Sequence, residues 1–329
     1  MKQIEINSND AGRRLDKFMR RYLAKATLST IYKVIRKDVK VNGKREGNSY
    51  MLAAGDMLTL YMSDAQIAEW TASSETGAGS KVRRSFKIVY EDEDILVVDK
   101  PFGLLTHGDS NEKKNHLANQ VKDYLIETGK YNPRERVFAP APANRLDRNT
   151  TGAVLFGKNS ASLKALNEMI RENKVDKYYM TIVYGHPDGE IVLKGRLIKD
   201  QKTNTVKILD IGASEGREIE TIARPIRRMG DFTLVEIKLV TGRTHQIRAH
   251  MASVGHPVIG DVKYAGGKAA DVNRKLKQRF GLSTQLLHSC RITFKEGIGP
   301  LERLTGRSIE VDLPEEFERI ISGLEQAQA

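Results

Sequence analysis

From Arg13 onward, Leu15, Phe18, Met19, Tyr22 and Leu23 recur at the spacing of one helix face, with basic residues between them. The pattern predicts an amphipathic helix with a positive outer side. A second short helix is expected from Thr30 to Lys37, N-capped by Ser29, with Ile31, Val34 and Ile35 facing in and Lys33, Arg36 and Lys37 facing out. Val39 and Val41 alternate with Lys40 into Asn42-Gly43, a tight-turn dipeptide, and a turn at Ala53, Gly55 and Asp56 leads to a strand from Met57 to Met62. Residues 1–62 therefore read as a small unit of two helices and a hairpin. Residues 63–84 are small and polar without a period, as in a flexible linker.

The longer remainder, 85–322 with a short tail at 323–329, is strand-rich. Two strands flank the acidic run Glu91 to Asp94, which reads as a hairpin tip and only remotely as a metal site, and Lys100-Pro101 stops the second strand. Leu163, Leu166, Met169 and Ile170 mark a helix from Ser160 to Asn173. Further strands are expected at 153–156, 177–185, 190–199, 205–211, 232–240 and 286–294. No repeat of fixed period appears. The fold class expected is α+β, in two units.

Charge adds a partner to this picture. The 329 residues carry 54 basic and 42 acidic side chains, a net charge of +12. Of this, 13 Lys and Arg against 6 Asp and Glu lie in residues 1–62, an excess of seven in under a fifth of the chain. Arg14, Lys17, Arg36, Lys37, Lys40 and Lys44 form its candidate surface for a polyphosphate backbone, which binds such patches through counterion release. A merely solvated charged face is the bland alternative. No window has the roughly 18 to 20 consecutive apolar residues of a membrane span, and the polar N-terminus does not read as a secretory signal, so a cytosolic protein is expected. The single Cys290 excludes an internal disulfide, and it and seven His show no zinc-ligand spacing.

Three segments carry chemistry. In NRLDRNTTGAVLFGKN (144–159), Asp147 sits between Arg145 and Arg148 on a loop that runs into a buried strand. This suits a functional carboxylate kept ionised by guanidinium groups, and equally a surface salt bridge. In LVTGRTHQIRAHMASVGHPVIGD (239–261), Arg243, His245, Arg248 and His250 cluster where a strand enters a short helix, a natural anion site. A metal held by His245, His250 and His256 is disfavoured, because Arg neighbours oppose a cation and no acidic or Cys ligand accompanies them. In DKYYMTIVYG (176–185), Tyr178 and Tyr179 point to opposite faces of a strand, so one faces the interior.

Together these segments resemble the RluA-type pseudouridine synthases, most of all the RluC and RluD branch that modifies large-subunit ribosomal RNA. The family's loop motif is met by NRLDRNTTG, its Lys-x-Tyr strand by Lys177-Tyr178-Tyr179, and its Gly-Arg-x-His-Gln-x-Arg segment by GRTHQIR. DILVVDKPFGLLTHG (94–108) and LLHSCRITF (286–294) are similar to family segments too, so the likeness spans about 86 to 322. Residues 1–62 resemble the small RNA-binding fold of a ribosomal small-subunit protein. Asn144 stands where the family usually has His, and Thr151 where it usually has Ser.

The resemblance implies a mixed, mostly antiparallel sheet flanked by helices, and a reaction without cofactor or metal. It makes Asp147 the carboxylate that attacks or stabilises ribose carbon 1′ or adds to the ring, pairs Arg248 with it, and gives Tyr179 the task of stacking near the base and helping to remove the carbon-5 proton. Arg145 would fill the stack vacated by a flipped uridine, Arg243 would meet a phosphate, and His245 would line the substrate site. The partner implied is structured ribosomal RNA, with transfer RNA as the alternative substrate and a monomer as the default state. A non-catalytic RNA-binding or ribosome-assembly factor would have lost Asp147, and a glycosidase would show a second acidic residue in a matching loop.

Overall fold

The computed structural model describes residues 1–71, 83–132, 137–200 and 203–326. In the first unit, β1 (Lys2–Glu5), α1 (Leu15–Tyr22), α2 (Leu28–Asp38), β2 (Val39–Val41) and β3 (Met57–Leu60) build a three-stranded antiparallel sheet in the order β1-β3-β2 under two helices. Phe18, Met19, Ile31, Val34, Ile35 and Leu58 are buried between them, which is why the apolar stripes face one another and the lysines and arginines face out. Two sequence expectations are corrected. Thr27, not Ser29, caps α2, because its hydroxyl accepts from the Thr30 N–H. Within the expected linker, Asp64–Trp70 forms a helix, α3, started by a reciprocal capping box between Ser63 and Gln66. Residues 72–82 of that linker lie outside the described residues.

The second unit adds β4 (Lys87–Glu91), β5 (Ile95–Lys100), α4 (Leu117–Glu127), β6 (Ala141–Pro142), β7 (Thr151–Gly157), α5 (Ser160–Arg171), β8 (Val175–Tyr184), β9 (Ile191–Asp200), β10 (Thr205–Leu209), β11 (Arg217–Met229), β12 (Phe232–Leu239), α6 (Gln246–Ser253), α7 (Lys268–Phe280), β13 (Leu287–Phe294), β14 (Ser308–Glu310) and α8 (Glu315–Gln326). The strands form one 11-stranded sheet, β10-β9-β11-β12-β8-β13-β7-β5-β4, with β6 on β7 and β14 on β13. Every pairing is antiparallel except β13 with β7. This is the expected α+β architecture. Helix α8 continues to Gln326, so residues 323–326 of the expected tail are helical.

Both faces of the sheet's centre are covered. On β7, Val154 and Phe156 pack toward α4 and α6, while Ala153 and Leu155 pack toward α5; β5 alternates in the same way. The acidic run ends in ion pairs: Glu91 with Lys130 and Lys158, and Asp92 and Asp94 with Arg303. The two units touch: Val137 packs into the first unit's core and its carbonyl accepts from the Arg21 guanidinium at 2.6 Å.

Candidate active site

The loop 143–150 joins β6 to β7 and is fastened at several points. Asn144 replaces a rung of the sheet: its Oδ1 accepts from the Leu155 N–H at 2.8 Å, and its Nδ2 donates to the Ala153 carbonyl at 3.2 Å. An amide side chain can satisfy a donor and an acceptor at once, so the departure at this position still anchors the loop's base. Leu146 exchanges two bonds with the Thr106 hydroxyl. Gly152 lies so close to β13 that a Cβ would stand 2.2 Å from the Ser289 carbonyl oxygen, and its φ of +102° is one that only glycine adopts freely.

Beneath the loop lies Lys100, fully buried. Its ammonium donates to the carbonyls of Pro101, Leu104 and Arg148 at 2.8 to 3.0 Å, so one nitrogen ties the end of β5 to the residue after Asp147. Three acceptors match its three hydrogens. Burial pulls its pKa down to about 7, against the upward pull of Asp147 and Asp99.

Asp147 reaches the surface partly, with 28% of its side chain exposed. Arg248, from the buried face of α6, donates to its Oδ2 at 3.3 Å. The same guanidinium is held far more firmly from behind: its Nε and Nη2 fork onto Asp261 at 2.6 and 3.0 Å, and Asp261 is itself fixed by the Lys263 and Tyr264 N–H groups. Two carboxylates thus share one cation. The shorter, forked contacts of Arg248 go to Asp261, and it meets Asp147 through a single longer one. The Tyr264 ring lies 5.2 Å from the guanidinium carbon.

His245 sits at the N-cap of α6 with φ of +53° and brings Nε2 to 3.8 Å from Asp147 Oδ2. Its Nδ1 meets the Tyr264 hydroxyl at 2.9 Å, and that hydroxyl already accepts from the Val206 N–H. If the hydroxyl donates to Nδ1, the ring proton lies on Nε2, facing Asp147. Burial lowers the pKa of His245, in keeping with a neutral ring. Gln246 holds the preceding turn, accepting from Thr241 and Arg243 and donating to Glu220 and Thr221.

In the same cleft as the carboxylate, Tyr179 on β8 is buried while Tyr178 is half-exposed, the alternation expected of a strand. Burial raises the Tyr179 hydroxyl well above the ordinary tyrosine range. Asp147, Tyr179, Arg248, Arg145, Arg243 and His245 line one narrow cleft of about 50 Å³, with Arg145 and Arg243 exposed at its mouth. All six sequence candidates for the catalytic cleft are brought together.

The candidates in the first unit differ in what they contact. Lys17, Arg36, Lys37 and Lys44 are exposed, Arg14 is ion-paired with Asp16, and Lys40 lies over the Tyr61 ring. Asp261, Tyr264 and Lys100 do not stand out in the sequence. Among the described residues, no group of three or more His, Cys, Asp or Glu is placed to hold a metal ion.

His288 shows how the loop is closed from below. It is fully buried; its Nδ1 contacts the Thr151 hydroxyl at 2.8 Å and its Nε2 the Val311 carbonyl at 3.3 Å, the pattern of a neutral ring. Burial lowers its pKa from 6.5 to about 4, and likewise that of His250. Below pH 6.5 the unfolded chain takes up protons that the folded chain refuses. Stability is thus fully present above that pH and falls toward pH 4, by up to about 3 kcal/mol for each ring. The denaturant midpoint should accordingly be lower at pH about 4.5 than at about 7, with a smaller difference in His288→Asn; equal pH differences in both proteins would contradict a neutral His288.

A carboxylate beside a buried arginine, a buried tyrosine and two exposed arginines at the mouth make a cleft suited to an anionic substrate, and fold and cleft together are those of an RNA-modifying enzyme. The family model described as RNA pseudouridylate synthase matches residues 94–253, the span holding the Asp147 loop and Arg248. Ribosomal large subunit pseudouridine synthase C of Vibrio cholerae is 33% identical over 295 residues, covering 88% of both chains. Its Escherichia coli K12 namesake is 31% identical over 333 residues, covering all of this chain and 98% of its own. The solved structure of human RNA Pseudouridylate Synthase Domain Containing 4 shares the fold, with a TM-score of 0.57 at 19% identity over 72% of this chain and 92% of that one. The chain belongs to the RNA pseudouridylate synthase family and is an isomerase of that kind.

Proposed function

We propose that this chain converts particular uridines of folded large-subunit ribosomal RNA to pseudouridine, with Asp147 as the reacting carboxylate. The observation that carries the reading is the single-point contact of Asp147 with an Arg248 already gripped by Asp261, in a cleft that Tyr179 also lines. The names of the curated relatives support the choice of ribosomal RNA.

The reaction breaks the bond between N1 and ribose carbon 1′, turns the ring, and joins C5 to carbon 1′; N1 ends protonated and C5 loses its proton. Asp147 attacks or stabilises carbon 1′ or adds to the ring, Arg248 aligns it, and Tyr179 packs against the base and helps the C5 proton leave. Tyr179's high pKa suits a group that stays neutral and relays a proton in a dry site. The ring enters past Arg145 and Arg243, which stand exposed at the mouth of the cleft. The uridine must leave its stack, at a cost of a few kcal/mol, and Arg145 takes the vacated place. Arg243 meets a phosphate, and His245 lines the substrate site beside Asp147.

Residues 1–62 act as the RNA-docking unit and 85–322 as the catalytic one, working as a monomer in the cytoplasm. Among the described residues no helix is long and apolar enough to cross a membrane. Mapping pseudouridine in ribosomal and transfer RNA from cells with and without the protein tests the proposal. Sites in large-subunit RNA should vanish without it; loss confined to transfer RNA would overturn the substrate assignment.

A further inference from the structure

The outer face of α2 carries more than charge. Leu28, Tyr32 and Arg36 follow one another at four-residue intervals, one above the next on the helix surface, and Leu28 and Tyr32 are 47% and 39% exposed. Beside them, the loop around residues 45–48 completes a concavity of about 700 Å³ whose lining includes Tyr32, Lys33, Ile35, Arg36, Arg45 and Glu46. That size falls within the range of ligand pockets. The buried contacts of α2 are made by Ile31, Val34 and Ile35, the last of which also lines the concavity, while Tyr32 stays partly exposed.

We propose that this concavity receives one unpaired nucleobase of the RNA, stacked on Tyr32, with Lys33, Arg36 and Arg45 gripping the phosphates on either side. The inference rests on the reading of residues 1–62 as the RNA-docking unit and deepens it. A purely electrostatic surface needs neither a hollow nor an aromatic floor; an aromatic ring ringed by cations is how single-stranded nucleotides are held. A paired helix is a poor occupant, because its bases offer no free face and its minor groove is wide and shallow. The charge complements an RNA backbone: three cations face one carboxylate, the half-buried Glu46. The unit would thus select RNA with a bulge or loop at a fixed distance from the target uridine.

The test uses the full-length protein with two fluorescently labelled RNAs: a stem closed by an unpaired loop, and the same stem fully paired. Tyr32→Ala should weaken binding of the looped RNA about 5- to 100-fold while leaving the paired RNA and both salt slopes unchanged. Tyr32→Trp should restore binding, whereas Tyr32→Leu, apolar but without a π face, should not. Equal loss on both RNAs, no loss on either, or rescue by Leu would overturn the stacking site. Lys33→Gln with Arg36→Gln separately tests the docking reading: the salt slope should become shallower by roughly one for each phosphate no longer neutralised. An unchanged slope would sink that reading, and the base site with it.

Discussion

Replacing Asp147 by Asn is expected to lower pseudouridine formation by at least about 10⁴-fold while leaving RNA affinity within a few-fold of the native value. The two carboxylate oxygens are nearly matched in shape by the amide, so Lys100, Thr106 and Asn144 still hold the loop in place. What disappears is the charge that attacks or stabilises the sugar–base junction. The substitution also removes the partner of Arg248 in the cleft, but Asp261 remains to neutralise that guanidinium, so the protein should fold as before. Affinity survives because the arginines at the mouth and the basic first unit do not depend on Asp147. Single-turnover assays on transcribed RNA, paired with filter binding, separate the two quantities. Residual turnover within about a hundredfold of native would remove Asp147 from the chemistry.

Legibility of the chain follows the physics of each segment. Helix α1 and the alternating β2 could be read directly, because one face of each must be apolar. Strand β11 could not: its buried positions are Ile219, Thr221, Ala223 and, six residues on, Met229, small or polar in part, and Pro225 sits where the register shifts against β12. Proline argues against a strand unless a bulge accommodates it. Helix α7 hides for the opposite reason, since its thirteen residues bury only Ala269, Leu276 and Phe280 amid charges.

The site divides in the same manner. Asp147, Tyr179 and Arg248 stand out by motif, whereas Asp261 is one polar residue after VIG, thirteen positions from the arginine it grips. Its role depends on how the chain turns back after α6, which no local pattern records. Lys100 reads as the polar end of a strand, and only the packed fold shows an ammonium surrounded by three carbonyls.

Asp261→Asn should therefore do two separable things. Arg248 and Asp261 are both almost wholly buried, and removing one partner of such a pair leaves a charge without its counter-ion, at a cost of about 3 to 5 kcal/mol. The amide can keep its oxygen toward the Lys263 N–H, but its NH₂ then faces the Nε–H of Arg248, donor against donor. The guanidinium must turn, and the most accessible acceptor is Asp147. A forked grip there would replace the single 3.3 Å contact, misaligning the carboxylate and blunting its charge. The expected outcome is a fall in kcat of about 10²-fold with KM for RNA little changed, since no RNA-facing residue is altered. Asp261→Glu, which keeps the charge, should recover part of kcat. A lowered melting temperature with kcat intact at a temperature where the variant is folded would show that Asp261 supports the fold alone and that Arg248 needs no second carboxylate to position Asp147.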